Sequence, residues 1–478
     1  MAVTDSFEIG SLNKFALSGN DAAAIHVGDQ RHYTHAWPSF RSAQKARSLV
    51  VTGGEGAYVY DAQGKRYLDG MGGLWCVNMG YGRNEIVEAI AEQARALPYC
   101  NPVDGLANAP AVRLAEKIAS LAPDDLNHVF FTCGGSTAND SALRLIQFYQ
   151  SIRGKPDKRF VLTRLRAYHG STIMTASLGG NPPDRSPHLR FITDIVRQVS
   201  SPNLYRMPCD MSEAAFCDFL VEELRAKILE LGSENIAAFF AEPILGSGGV
   251  IVPPKDYNRR TWELCKEYDI LYVADEVITA FGRLGHFFSS NAMFETQPDI
   301  ITFAKGITSG YQPLGGFVFS DAIHKVLVDA EPQAAFINGY TYSGHPVACA
   351  AALANIELME KENICAHVHN AGAYFEKRLR ALSDLQIVGD VRGSYFMMCI
   401  ESVMDKSSKQ PFPPNVGVGD IIARHASDLG LIVRPLGSMN ILSPPLILNR
   451  EQIDDFTLSM SEAIQRTQIE LSAANIIK

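Results

Sequence analysis

The chain reads as an α/β protein, with a largely parallel sheet between helices and a smaller lobe after it. Three observations carry that reading. From about 80 to about 330, short apolar runs alternate with segments of helical periodicity, the rhythm of strand–crossover–strand units. Two of those runs, Ile270-Leu271-Tyr272-Val273-Ala274 and Asp299-Ile300-Ile301-Thr302-Phe303-Ala304, are short and almost wholly apolar, as strands covered on both faces must be. A third, His128-Val129-Phe130-Phe131-Thr132, passes through Cys133-Gly134-Gly135-Ser136-Thr137 straight into a helical pattern.

Each element follows in order. Residues 1–75 read as an N-terminal arm and a hairpin, with Tyr58-Val59-Tyr60-Asp61 and Arg66-Tyr67-Leu68-Asp69 flanking the turn residues Gln63-Gly64. Strands are expected at 128–132, 160–165, 236–241, 270–274, 299–304 and 316–320. From Ala138, the residues Ala138, Ala142, Leu145, Ile146 and Tyr149 share one helical face. Asn181-Pro182-Pro183-Asp184 marks a surface loop. A long amphipathic helix begins at Val347 and runs to about Lys361, and the run from Ser407 to Pro414 reads as an exposed insertion in the second lobe.

The chemistry-bearing residues sit at strand ends. Lys305 follows an apolar strand, where desolvation disfavours its ammonium form and leaves an amine able to attack a carbonyl. A lone strand-terminal lysine is ordinarily a solvated one; Asp275, closing a similar strand 305 − 275 = 30 residues earlier, changes the balance. The acid pair Asp275-Glu276 has three readings: a turn cap, a magnesium ligand of a nucleotide hydrolase, or the acid that keeps the pyridine nitrogen of pyridoxal phosphate (PLP) protonated. The second requires GxxxxGK[ST], yet Gly154-Lys155 precedes Pro156 and Gly64-Lys65 precedes Arg66. The glycines before Ser136 let backbone N–H groups converge on an anion at a helix's positive end, with the Ser136 hydroxyl adding a donor; an ordinary serine-capped turn is the plain alternative. No nicotinamide fingerprint is present, since Gly54-x-Gly56 and Gly246-x-Gly248 lack a third glycine.

Length and composition set the bounds. At 478 residues more than one lobe is expected, and 46% apolar with 20% charged content is that of a soluble globular chain. A net charge of −9 gives no reason to expect nucleic acid or an anionic membrane. Nine scattered cysteines without a C-x-x-C pair indicate neither a disulfide framework nor zinc, and fit reduced thiols in the cytoplasm. His32 with His35, and His367 with His369, lack further ligands at metal-binding spacing. The first thirty residues carry Asp5, Glu8, Asp21 and Asp29 and no long apolar core, so neither a signal nor a transit peptide is expected.

With these motifs in view, nearly the whole chain resembles the class III PLP-dependent aminotransferases, specifically the omega-transaminase branch. The resemblance rests on Gly73-Leu74-Trp75-Cys76-Val77-Asn78-Met79-Gly80-Tyr81-Gly82-Arg83, Tyr168-His169-Gly170-Ser171-Thr172, Glu242-Pro243-Ile244, Asp275 through Arg283, Ala304-Lys305-Gly306, Gly339 through Pro346, and Gly430 through Pro435. It implies fold type I: a large PLP-binding domain with a mostly parallel seven-stranded sheet (76–335), and a smaller α+β domain built from both ends (1–75 and 336–478). By the same resemblance Lys305 is the Schiff-base lysine, Asp275 the partner of the pyridine nitrogen and Val277 the apolar contact on the ring. Tyr168 is the stacking aromatic, Gly135, Ser136 and Thr341 are phosphate ligands, and Trp75, Tyr168 and Arg434 face substrate. Thr341 would serve the neighbouring subunit, which implies at least a homodimer.

The resemblance further implies a ping-pong transfer of an amino group from an amine or omega-amino acid to a keto acid such as pyruvate. Lys305 shuttles the proton and Arg434 takes the keto acid's carboxylate. The donor stays open among diamines or polyamines, beta-alanine-like acids and chiral amines. A PLP mutase, racemase or decarboxylase would use Lys305 and Asp275 equally, and a silent binding protein would need neither. The chain departs from its family at Gly134 and Thr137, at Pro102-Val103-Asp104 where adjacent phenylalanines usually stand, at Tyr395 where glycine is usual, and at Ser438 in place of aspartate.

Overall fold

The apolar runs of the middle of the chain pair into one seven-stranded sheet in the computed structural model, which describes residues 14–37, 39–41, 48–103, 105–208 and 210–477. Its strands are β1 (Leu126–Thr132), β2 (Phe160–Arg164), β3 (Val196–Val199), β4 (Ile236–Ala241), β5 (Leu271–Asp275), β6 (Ile300–Phe303) and β7 (Gly315–Ser320). They lie in the order β1-β7-β6-β5-β4-β2-β3. Every residue of β4, β5 and β6 is buried, which is why these three read as unbroken apolar runs.

Six strands run parallel, and β7 is antiparallel to both neighbours. The connection explains the exception. Only 314 − 303 = 11 residues separate β6 from β7, holding one 3-10 turn at Lys305–Thr308, whereas a parallel return needs a crossover of roughly a dozen residues or more. The edge strand β3 was not among the expected strands.

Helix α1 (Gly135–Ile152) buries Ala138, Ala142, Leu145, Ile146 and Tyr149, the face its periodicity predicts, and Asn139 and Ser141 besides. The helix Pro346–Lys361 packs on Asn84–Ala96 and Ala109–Leu121. The hairpin strands Tyr58–Asp61 and Arg66–Asp69 pair antiparallel, and Arg66–Asp69 also pairs in parallel with Leu431–Ile432. Segments from both ends of the chain thus share one sheet. A further sheet gathers Val388–Ser394, Met397–Asp405, Arg434–Leu436 and Met439–Leu442.

Both expected surface segments are largely exposed, at Pro182 and Pro183 and at Ser407, Ser408, Gln410, Pro411, Pro413 and Pro414, and each has one buried anchor. Asn181 of the presumed surface loop is buried, its amide donating to Asp184 Oδ2 at 2.9 Å. The stretch 407–414 is tied down by Gln410–Pro411, which pairs with Met397–Asp405, and by the buried ring of Phe412.

Among the described residues, no helix is long and apolar enough to cross a membrane. Nor does any group of three or more His, Cys, Asp and Glu form a set that would hold a metal ion. His35 Nε2 instead meets Asp29 Oδ1 at 2.8 Å, His367 Nε2 meets Leu448 O at 3.0 Å, and His369 packs against His286 and Tyr395.

Candidate active site

The carboxyl ends of β1, β2, β4, β5 and β6 open onto one edge of the sheet, where a cavity of about 180 Å³ lies. Crevices at this edge are where open α/β sheets place their ligands. Lys305 follows the fully buried β6 directly and adopts φ 50°, a left-handed conformation that costs a non-glycine residue on the order of 1 kcal/mol. The next residue must be glycine, because a Cβ at Gly306 would collide with the Asn78 amide, itself locked by Phe281 O and Arg283.

The Lys305 side chain lines the cavity and has no hydrogen-bond or ion-pair partner among the described residues. Burial holds its amine below the ordinary lysine range, although the neighbouring Asp275 carboxylate pulls the other way.

Asp275, last residue of β5, is fixed by three donors. Asn139 Nδ2 and His169 Nδ1 each reach Oδ2 at 2.8 Å, and Val277 N reaches Oδ1 at 3.1 Å. Asn139 Nδ2 also bonds His169 O at 2.8 Å, so helix α1 and the segment after β2 are stitched to this one carboxylate. Its neighbour Glu276 does something else entirely. Buried, it accepts from the backbone and hydroxyls of Ser289 and Ser290 and from Thr279, capping the short helix Ser290–Phe294. The strand-end acid pair therefore divides into one turn cap and one cavity acid.

At the end of β1 the chain turns through Gly134 into α1, and no side chain caps the helix. The first intrahelical bond runs from Ala138 N to Gly134 O, so the N–H groups of Gly135, Ser136 and Thr137 remain available to an anion. A Cβ at Gly135 would sit 2.9 Å from Val277 Cγ1, so only glycine lets the helix start lie against that residue. Ser136 Oγ accepts from Ser171 N at 3.0 Å, and Thr137 Oγ1 donates back to Gly134 O at 2.9 Å.

Substrate-facing candidates complete the wall. Trp75 is buried, Tyr168 half-buried with its hydroxyl 2.9 Å from Ser171 Oγ, and Arg434 opens the strand Arg434–Leu436. Arg434 forms no ion pair or hydrogen bond among the described residues, and burial holds its guanidinium below the usual arginine range.

The structure thus gathers Lys305, Asp275, Gly135, Ser136, Tyr168, Val277, Trp75 and Arg434 around one cavity. Thr341 stands apart. It lines a broader depression of about 1030 Å³ together with Pro102 and Val103, and its carbonyl accepts from Tyr99 at 3.1 Å. Asp104 lies outside the described residues. Tyr395 takes the left-handed φ of 49° that explains glycine's usual place there, and Ser438 O accepts from Ser402 N at 2.8 Å.

Sequence reasoning left several cavity residues without a role, among them Trp37, Asn139, His169 and Glu242. Trp37 comes from the N-terminal segment and meets Tyr168 with ring centroids 5.9 Å apart, a contact no local pattern announces. His169 and Glu242 sat inside recognised motifs, and a buried polar residue one turn into α1 was the available signal for Asn139.

PLP asks for an amine of lowered basicity, a buried carboxylate, an anion-binding helix start and an aromatic face. Lys305, Asp275, the first turn of α1 with Ser136, and Tyr168 supply them from around one cavity, so the residues fit the group.

Comparison with known proteins agrees. The family model for class-III aminotransferases matches residues 40–464. A putrescine–pyruvate aminotransferase of Pseudomonas aeruginosa is 42% identical over 437 residues, covering 91% of this chain and 94% of that protein. Gamma-aminobutyrate transaminase 1 of Oryza sativa subsp. japonica is 37% identical, over 91% of this chain and 84% of its own length. Among solved structures, an (S)-enantioselective omega-transaminase of Thermomicrobium roseum superposes with a TM-score of 0.91 at 38% identity, covering 93% of this chain and 99% of that one. The omega transaminase of Pseudomonas jessenii in complex with PMP gives 0.91 at 35% identity, over 94% and 99%.

Proposed function

The chain belongs to the class-III aminotransferases, PLP-dependent enzymes that pass amino groups from amines to keto acids, and from that premise we propose that it transfers the amino group of a terminal diamine to pyruvate. The observation that carries the proposal is the cavity itself, where a Lys305 amine and an Arg434 guanidinium, both without a partner among the described residues, and a triply held Asp275 carboxylate face one small space. The relative that is 42% identical acts, by its name, on putrescine and pyruvate. Pro102 and Val103 stand where an aromatic wall would favour arylalkyl amines.

When bound, PLP supplies an aldehyde that takes the amino group and a ring that withdraws electrons from the reacting carbon. Lys305 would tether it, and the Lys305 amine, whose lowered basicity makes the neutral form available, would carry the proton off the donor carbon. Asp275 would keep the pyridine nitrogen protonated, and Asn139 and His169 hold the acid in place. The N–H groups of Gly135 and Ser136 would hold the phosphate, Val277 and Tyr168 would contact the ring, and Trp75 forms part of the cavity wall. Arg434 takes the pyruvate carboxylate bidentately.

The reading extends to a cytoplasmic homodimer in which Thr341, remote from its own cavity, completes the neighbour's phosphate site. Support comes from the depression that Thr341 lines and from exposed apolar side chains around it, Val103, Ile173 and Ile337.

The test is a panel of amines offered with pyruvate to the purified holoenzyme, with alanine as the readout. Alanine forms fastest from linear diamines. No alanine from any amine would end the proposal.

A further inference from the structure

We infer that Asn355, on the helix Pro346–Lys361, is a positioning residue for the transfer: it holds the turn that aims the Lys305 amine. It does so for any donor the enzyme accepts, so the assignment goes beyond the diamine reading and stands apart from it.

The Lys305 side chain meets no hydrogen-bond or ion-pair partner among the described residues, so nothing at its tip fixes its direction. The aim comes from the backbone. Lys305 opens the 3-10 turn Lys305–Thr308 in the left-handed region at φ 50°, and Ser309 leaves it at φ 48°. The turn's own bonds are long, Ile307 N to Ala304 O at 3.3 Å and Ser309 N to Gly306 O at 3.2 Å. A left-handed side-chain-bearing residue persists only where its surroundings over-determine it, and two such bonds do not suffice.

Asn355 supplies the rest. It is wholly buried, the one strongly polar side chain among the buried residues of its helix. Its Nδ2 donates to Gly306 O at 3.0 Å and to Ile307 O at 2.9 Å, while its Oδ1 accepts from Ser309 Oγ at 2.6 Å. Ser309 Oγ accepts in turn from Met79 N at 3.0 Å. One amide therefore grips Gly306, Ile307 and Ser309, directly after Lys305, and through Ser309 reaches the segment that carries Trp75.

A buried amide kept for stability alone needs partners, but any partners will do. Apart from a contact with Met359 Sδ at 3.6 Å in its own helix, those of Asn355 all belong to this turn. The Lys305 amine would both hold the cofactor and carry a proton off the donor carbon, and a misplacement of about 1 Å in such a group costs about 100-fold in rate.

The experiment compares wild type with N355D and S309A as holoenzymes, using pyruvate and an amine that wild type accepts. N355D keeps the size and the acceptor for Ser309 but offers at most one O–H in place of two N–H donors. It should lower kcat at least about 30-fold while both KM values stay within about threefold, with cofactor absorbance showing PLP retained. The isotope effect of deuterium on the reacting carbon should rise, because proton transfer is the step slowed. S309A should move each quantity the same way by a smaller factor, and it decides the matter alone if N355D does not fold. A kcat within about threefold of wild type in N355D, or unchanged in S309A, would overturn the inference. So would a fall in kcat that excess PLP restores, which makes Asn355 a support of cofactor retention only.

A second readout needs no turnover. Cofactor-free protein is mixed with PLP, and the bond formed at Lys305 is trapped with borohydride at intervals. Attachment at position 305 should be at least about tenfold slower in N355D, and an unchanged rate would overturn the inference. Absence of alanine from every amine with wild type would strike the amine-to-pyruvate reading instead, and this attachment rate would still decide the role of Asn355.

Discussion

Replacing Asp275 by asparagine separates the charge of this residue from its shape. The side chains are nearly isosteric, and Oδ2 accepts from both Asn139 and His169 at 2.8 Å, so the amide oxygen of the variant settles there and keeps both bonds. Its NH₂ then occupies the place of Oδ1 and faces Val277 N, donor against donor, where an accepting oxygen stood at 3.1 Å. The local loss is one hydrogen bond to a charged acceptor, about 1.5–3 kcal/mol. The larger loss is electrostatic. Removing the anion from a buried pair with the protonated pyridine nitrogen forfeits roughly 2–5 kcal/mol. At about 1.36 kcal/mol per decade that is a fall in rate of about 30-fold to about 5,000-fold.

The assay is alanine formation by D275N, with the visible absorbance of the bound cofactor recorded in parallel to establish that PLP is still held. A variant that retains PLP and turns over within about threefold of wild type would refute the assignment of Asp275 to the ring nitrogen.

Other outcomes follow from the same structure. R434L should raise KM for pyruvate at least about tenfold, since a partly buried guanidinium with no ion-pair partner among the described residues is removed; unchanged pyruvate kinetics would free Arg434 of that role. T341A should weaken retention of PLP although Thr341 lies outside its own cavity, and unaltered affinity would remove it from the neighbour's site. Asp269 is partly buried, which works against its ionisation, yet hydrogen bonds from Lys155, Lys158 and Arg153 draw its carboxyl down to about 2. A carboxyl lowered in the folded state stabilises above its unfolded value and loses that contribution as pH falls through the folded one. With the side chain half exposed, the effect discounts to about 1 kcal/mol, so the thermal midpoints of wild type and D269N should converge between about pH 4 and pH 2. A constant gap would show that the cluster is electrostatically idle.

Gly372→Ala tests packing. An alanine within a helical turn ordinarily gains up to about 1 kcal/mol over glycine. Here its Cβ would lie 2.8 Å from Tyr395 Cβ and 3.2 Å from Tyr395 Cα, and overpacking costs about 1–3 kcal/mol, so the melting temperature should fall. A rise would mean that the hairpin at Tyr395 yields easily.

The strands that sequence reading located were those buried on both faces, because β4, β5 and β6 cannot avoid apolar runs. The missed strand, β3, is Val196-Arg197-Gln198-Val199 at the sheet's edge, apolar only at its ends and paired only with β2. The direction of β7 was equally silent in its composition; the length of the preceding connection decides it. In the site, Lys305 and Asp275 were legible because each closes such a run, and Gly135 and Ser136 because glycines punctuate a strand-to-helix turn. Trp37 and Glu242 were not assigned roles. Their place in the cavity arises from what lies opposite them in space, and Trp37 meets a ring 168 − 37 = 131 residues away.

The parallel pairing of Leu68 with Leu431 spans 431 − 68 = 363 residues. A ribosome adding roughly 5–20 residues per second needs roughly 20–70 s to cover that distance. Throughout that interval the hairpin edge at Arg66–Asp69 awaits its partner, and an unpaired edge recruits whatever strand arrives first. Arg434, two residues beyond this late strand, emerges with it, so a nascent chain gains this cavity arginine only as the two distant segments finally pair.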